Sequence, residues 1–165
     1  MAKWEAALLP RRPLRRNRAG LIASGYCSNT SLSTADGGLI YADLYGKGDH
    51  GVVLAHGGRF NKESWAPQAK ALTAAGFRVL TIDFRGYGQS RGPGQSDPLS
   101  APLHLDVLAA VRYLRKTGAK TVSVVGGSMG GGAAAEASIA AEPGEIDRLV
   151  LLAAMAASRP VSGPE

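Results

Sequence analysis

The apolar residues of this chain fall in short, dense runs separated by polar, Gly-rich segments. Val52–Ala55, Phe77–Ile82, Thr121–Val125 and Leu149–Ala153 have strand length and little alternation. That is the pattern of strands buried on both faces. Between them lie segments of helical spacing. Residues 62–75 carry Trp65, Ala69, Leu72 and Ala75, with Gly76 as a natural stop. Pro102 opens a second helix whose apolar face holds Leu105, Leu108, Ala109, Val111 and Leu114, and Gly118 ends it. Ala133–Ala141 reads as a third. Upstream, Ser31–Thr34 is a weak strand and Asp36-Gly37-Gly38 a turn. Leu39–Tyr45 is the returning strand, and Gly46-Lys47-Gly48-Asp49 a second turn. Buried strands alternating with helices predict an α/β fold, a mostly parallel sheet with helices on both faces. Ligands in such sheets bind beyond the carboxyl ends of the strands, where the Gly-rich segments fall.

Composition narrows the classes. A chain of 165 residues with 45% hydrophobic and 19% charged residues suits one domain with a core. Its 22 glycines follow no Gly-X-Y period, so they belong to turns and close approaches, not to collagen. Cys27 is the only cysteine, which excludes a disulfide framework and a Cys-based zinc site. No His/Asp/Glu cluster has metal-ligand spacing, and no cofactor is indicated. No apolar run approaches the ~18–20 residues of a membrane helix.

The net charge of +6 is concentrated at one end. Lys3, Arg11, Arg12, Arg15, Arg16 and Arg18 face Glu5 alone, and the rest of the chain is almost neutral. Residues 1–28 are therefore expected to be a solvated basic leader, 29–157 a partial domain and 158–165 a tail. The near-neutral body gives no sign of a nucleic-acid or membrane partner. Ala19–Ala23 is too short for the ~7–15-residue apolar core of a signal peptide. A cytoplasmic location is favoured over a degraded signal sequence.

The segment richest in chemistry is Gly126-Gly127-Ser128-Met129-Gly130, a Gly-x-Ser-x-Gly set between a strand and a helix. A serine in so sharp a turn has a strained backbone and an exposed hydroxyl. Gly126 and Gly130 are small enough to let strand and helix meet. The helix start directs N–H groups at developing negative charge. Gly130-Gly131-Gly132-Ala133-Ala134-Ala135 also fits a dinucleotide fingerprint. It begins inside the helix, however, and no acidic residue ends the next strand to hold a ribose. A Walker loop is absent, since no Gly-Lys-Ser/Thr occurs. His56-Gly57-Gly58-Arg59 ends the first buried strand, where the Gly58 N–H can pair with that of Met129 to hold an oxyanion. His56 is expected to fix that loop by hydrogen bonds. Asp83 and Arg85, in Asp83-Phe84-Arg85-Gly86-Tyr87-Gly88-Gln89-Ser90, are expected to hold the next loop.

These three segments, in this order and with helices between, resemble the α/β-hydrolase fold over residues 31–157. The resemblance implies Ser128 as nucleophile, Gly58 and Met129 as oxyanion-hole donors, and acyl transfer from a small-molecule ester or related substrate to water. In that family an acid and then a histidine follow the serine. Here no histidine follows Ser128, and Glu136, Glu142, Glu145, Asp147 and Glu165 match no acid position. His50 and His104 are poor substitutes. The expectation is a chain truncated after the sixth strand of the family's sheet, inactive or nearly so by itself. The alternatives are a non-catalytic interaction module and a half-enzyme completed by a second chain. The strand Leu149–Ala153 would then be an unpaired apolar edge, prone to self-association.

Overall fold

The computed structural model describes residues 27–98 and 100–154. Most of the expected leader and all of the 158–165 tail lie outside the described residues. Cys27 and Ser28, assigned above to the leader, instead open the first strand. The elements are β1 (Cys27–Ser33), β2 (Leu39–Tyr45), β3 (His50–Ala55), a 3-10 turn (Lys62–Trp65), α1 (Ala66–Ala74), β4 (Arg78–Ile82), α2 (Leu103–Lys116), β5 (Thr121–Gly127), α3 (Met129–Ala140) and β6 (Arg148–Leu152). They form one six-stranded sheet in the order β1-β2-β4-β3-β5-β6. β1 and β2 are an antiparallel hairpin, and β2 runs antiparallel to β4. β4, β3, β5 and β6 are mutually parallel.

The continuous apolar runs are explained by burial on both faces. Successive side chains of a strand point to opposite sides. On β3, Val53 and Ala55 join the core beneath α2 and α3, while Val52 and Leu54 join the core beneath α1. β4 divides likewise, with Leu80 and Ile82 on one side and Val79 on the other.

Three expectations need correction. β1 starts at Cys27, not Ser31, because its polar residues add backbone pairing with β2 and no apolar signal. The helix read over 62–75 is a 3-10 turn capped by the Asn61 side chain, then α1. α3 begins at Met129, so the helix that follows the elbow takes in Gly130 as expected and extends ahead of the Ala-rich stretch from Ala133, tertiary packing overriding the low helix propensity of its glycines. The buried face of α2 is also broader than the expected one. Leu108, Val111 and Leu114 are buried as expected, but Leu105 and Ala109 are only half-buried, while Leu103, Val107, Ala110 and the unexpected Asp106 are buried.

Asp106 is buried because Arg85 meets it. Arg85 and Asp106 are both fully buried. Arg85 donates to Asp106 from its backbone N–H, Nε and Nη2 at 2.9, 2.9 and 2.7 Å. The same guanidinium pairs with Asp36 in the β1–β2 turn, holding its carboxyl down at about 2. One side chain thus ties the hairpin, the loop after β4 and α2 together.

Candidate active site

At the carboxyl end of β5 the chain turns sharply into α3. Ser128 sits at the turn with φ 51° and ψ −115°. A non-glycine residue with positive φ costs about 1–3 kcal/mol, so surrounding contacts must hold it there. They do so from both sides. The Ser128 N–H donates to the Leu152 carbonyl on β6 at 2.9 Å. Its own carbonyl accepts from the Gly131 and Gly132 N–H groups at 2.9 and 3.1 Å. Strand and helix meet where no side chain would fit. A Cβ on Gly126 would lie 2.2 Å from the Gly130 carbonyl oxygen, and one on Gly130 2.4 Å from that of Ala55. The half-buried Ser128 side chain is left standing beyond the end of the sheet.

The loop after β3 comes alongside. A Cβ on Gly57 would stand 3.5 Å from the Ser128 Cβ, and one on Gly58 3.6 Å from the Met129 Sδ. The structure therefore brings Gly58, Ser128 and Met129 together. Among the described residues neither the Gly58 nor the Met129 N–H donates to a protein acceptor. The Met129 N–H also opens α3, where the helix dipole favours negative charge.

His56 sets the peptide that carries the Gly58 N–H. The Phe84 N–H donates to His56 Nε2 at 3.2 Å, so Nδ1 carries the ring proton and donates to the Gly57 carbonyl at 2.8 Å. The Phe60 N–H donates to the same carbonyl at 2.9 Å. With the Gly57 carbonyl fixed twice, the Gly58 N–H of that planar peptide must point the opposite way. Burial holds the His56 imidazole below its usual pKa, which favours this neutral form. Both ring nitrogens are committed, and His56 fixes its loop as expected.

The loop after β4 forms the third side. The Asp83 carboxylate accepts from the Lys62 N–H at 2.8 Å, and its carbonyl accepts from the Ser90 hydroxyl at 2.8 Å. Burial raises the Asp83 pKa above its ordinary value. Asp83 and Arg85 thus both serve to hold loops. Tyr87, which sequence reasoning passed over, reaches from this loop to both Gly58 and Met129. It sits in Gly86-Tyr87-Gly88, where a tyrosine between glycines reads as turn filler.

No other histidine approaches Ser128. His50 begins β3 and pairs with Thr121 at the amino ends of the parallel strands, about 20 Å from Ser128 at ~3.3 Å per residue. His104 Nδ1 lies 3.5 Å from a Glu136 carboxylate oxygen, linking α2 to α3. Glu145 and Asp147 pair with Arg112 and Arg115 at the amino end of β6. Glu165 lies outside the described residues. No cluster among the described residues could hold a metal ion.

The sequence matches the alpha/beta hydrolase fold family over residues 52–164. It is 36% identical to the human serine hydrolase BPHL over 141 residues, 84% of this chain and 48% of that protein. It is 39% identical to the bifunctional epoxide hydrolase 2 of Sus scrofa over 82 residues, 48% of this chain and 14% of that protein. Among solved structures, an esterase from Exiguobacterium antarcticum superposes with a TM-score of 0.64 at 27% identity, covering 77% of this chain and 46% of that one. An epoxide hydrolase from an endophytic Streptomyces gives 0.64 at 32% identity, covering 76% and 36%. The chain spans half or less of the length of each of these relatives.

Proposed function

The chain belongs to the alpha/beta hydrolase fold family, and on that premise we propose that it carries the nucleophile and oxyanion half of a serine hydrolase acting on carboxylic esters or related acyl substrates. Ser128 Oγ attacks the acyl carbonyl carbon. The new C–O bond forms as the carbonyl π pair moves to oxygen, and the Gly58 and Met129 N–H groups receive that oxyanion. Collapse expels the alcohol and leaves an acyl-serine, which water attacks through the same hole. The observation that carries this reading is the strained Ser128 at φ 51°, held beside two N–H groups that have no protein acceptor among the described residues.

The nucleophile's chemistry decides between the activities named for the relatives. A serine that opened an epoxide would become an ether, which has no carbonyl for water to attack. Acylation of the same serine gives an ester that the oxyanion hole can help hydrolyse. Acyl transfer is therefore the reading for this chain.

The Ser128 proton needs an acceptor; His50 and His56 are hydrogen-bonded elsewhere, and His104 stands on α2 beside Glu136, two turns along α3 from Ser128. The chain alone is accordingly inactive or nearly so. By analogy with serine proteases stripped of their triad, ~10³–10⁴-fold acceleration over water remains from binding and the oxyanion hole. The histidine and acid come from a complementing segment or chain. Hydrolysis of p-nitrophenyl acetate with added imidazole tests this. Protein-dependent turnover that rises with imidazole and disappears in Ser128→Ala is expected. Turnover indifferent to Ser128→Ala overturns the reading.

One observation favours a second reading, a non-catalytic interaction module. Val150, Leu151 and Leu152 on β6 remain 43–48% exposed, and no described strand pairs with the outer edge of β6. Saturable binding of a partner without any Ser128-dependent chemistry would favour it.

A further inference from the structure

Gly58 and Met129 belong to separate parts of the fold, the loop after β3 and the start of α3. An oxyanion hole built from both works only if their spacing is fixed, because donors must lie ~2.7–3.1 Å from the developing charge. The Gly57 carbonyl is well anchored. The next peptide is less so, since Gly58, Arg59, Phe60 and Asn61 are all exposed. One side chain spans the gap. The Tyr87 hydroxyl donates to the Gly58 carbonyl at 2.9 Å and lies 3.6 Å from Met129 Sδ. Its single proton goes to the carbonyl, the stronger acceptor, and the sulfur packs against the hydroxyl oxygen.

Tyr87 is itself held from behind. Its ring meets His56 edge-on at 4.7 Å between centroids, and His56 in turn meets Phe84 at 5.1 Å. Its backbone N–H donates to the Phe84 carbonyl at 2.9 Å. Gly86 and Gly88 flank it with φ of 87° and 51°, so the loop turns on either side and projects the ring inward.

We propose that Tyr87 is a positioning residue of the oxyanion hole, a strut whose hydroxyl ties the Gly58 arm to the Met129 arm. The proposal rests on the reading of Ser128 as nucleophile. It predicts that the hydroxyl acts on the transition state and not on ground-state binding. Outright removal of a hole donor costs ~10²–10³ in rate. Loss of a strut that only aims a donor should cost less, about tenfold.

Tyr87→Phe keeps the ring and its packing on His56 and removes only the hydroxyl. The probe is an alkyl fluorophosphonate, whose phosphorus bonds to Ser128 Oγ with loss of fluoride and places its P=O oxygen in the hole. Labelling of Ser128, with imidazole added to take up its proton, is followed over a range of probe concentrations by peptide mass spectrometry. NMR relaxation of the Gly58 and Arg59 amides is measured on the same proteins. The expected result is a maximal labelling rate lowered about tenfold, an unchanged half-saturating concentration, and lower order parameters at both amides. Equal maximal rates in the two proteins overturn the proposal. If the parent chain fails to label at Ser128 even with imidazole present, the nucleophile reading fails. The strut is then judged by NMR alone, and unchanged order parameters in Tyr87→Phe overturn it separately.

Discussion

Gly126 and Gly127 are neighbours at the end of β5, yet substitution by alanine should affect them in opposite ways. A methyl on Gly126 would sit 2.2 Å from the Gly130 carbonyl oxygen, 2.6 Å from the Gly130 carbonyl carbon and 2.8 Å from the Gly131 nitrogen. All three atoms are backbone, so no rotamer change relieves the clash. Strand and helix must part by about 1 Å to restore ordinary contact, which forfeits dispersion along their shared surface. Overpacking costs ~1–3 kcal/mol, and a clash against rigid backbone belongs at the upper end. A methyl on Gly127 would instead meet the Trp65 Cζ2 at 3.8 Å, an ordinary contact. Its φ is not positive, so alanine there should be neutral or stabilise by ~0.4–1 kcal/mol through the unfolded state. The two variants should therefore differ by roughly 3–4 kcal/mol. Urea unfolding followed by circular dichroism measures this, with Gly126→Ala lowering the midpoint by at least about 1 M. The reasoning is refuted if Gly126→Ala unfolds within 0.5 M of the parent, or if Gly127→Ala is equally damaging.

Three further outcomes follow from the same geometry. Ser128→Gly should stabilise the fold by about 1 kcal/mol in urea unfolding by relieving the positive φ, whereas Ser128→Ala should not; equal stabilities would remove the strain. The folded-state pKa of Asp36, about 2, lies below its unfolded value, so its contribution is fully present above that unfolded value and is lost as pH falls through 2. The stability gap between the parent and Asp36→Asn should therefore shrink between about pH 5 and 2 by roughly 2 kcal/mol, and a gap constant over that window would contradict the Arg85 pairing. The apolar edge of β6, which no described strand pairs, should make this chain oligomeric at micromolar concentration, and a monodisperse monomer by light scattering would contradict that.

What could be read in the sequence was what local constraint dictates. Gly126 and Gly130 reveal a strand-to-helix turn because their spacing alone lets the two elements touch. His56-Gly57-Gly58 reveals a loop leaving a buried strand because Val52–Ala55 is apolar on both faces. Long-range pairings stayed hidden. Asp106 on α2 reads as solvent-facing until Arg85 is found beside it, 21 residues away in the chain. Tyr87 meets Gly58 across 29 residues and Met129 across 42, and nothing in Gly86-Tyr87-Gly88 announces either contact. The start of β1 was missed because Cys27–Thr30 contributes backbone hydrogen bonds to β2 and almost no buried side chain. The placement of β4 between β2 and β3 is likewise a property of the assembled sheet, with no counterpart in the order of the motifs.

We propose Ser128 as a nucleophile served by an oxyanion hole but by no histidine of this chain. On an activated aryl ester, whose leaving group departs without taking up a proton, such a protein should acylate slowly and then stall, because the acyl-serine is an unactivated ester whose hydrolysis depends more strongly on a general base. Incubation with p-nitrophenyl acetate, followed by intact-mass and peptide mass spectrometry, tests this directly. A single acetyl group should accumulate on Ser128, be absent in Ser128→Ala, and be released when imidazole is added. Sustained turnover that survives Ser128→Ala, or acetylation of surface lysines with Ser128 untouched, would contradict it.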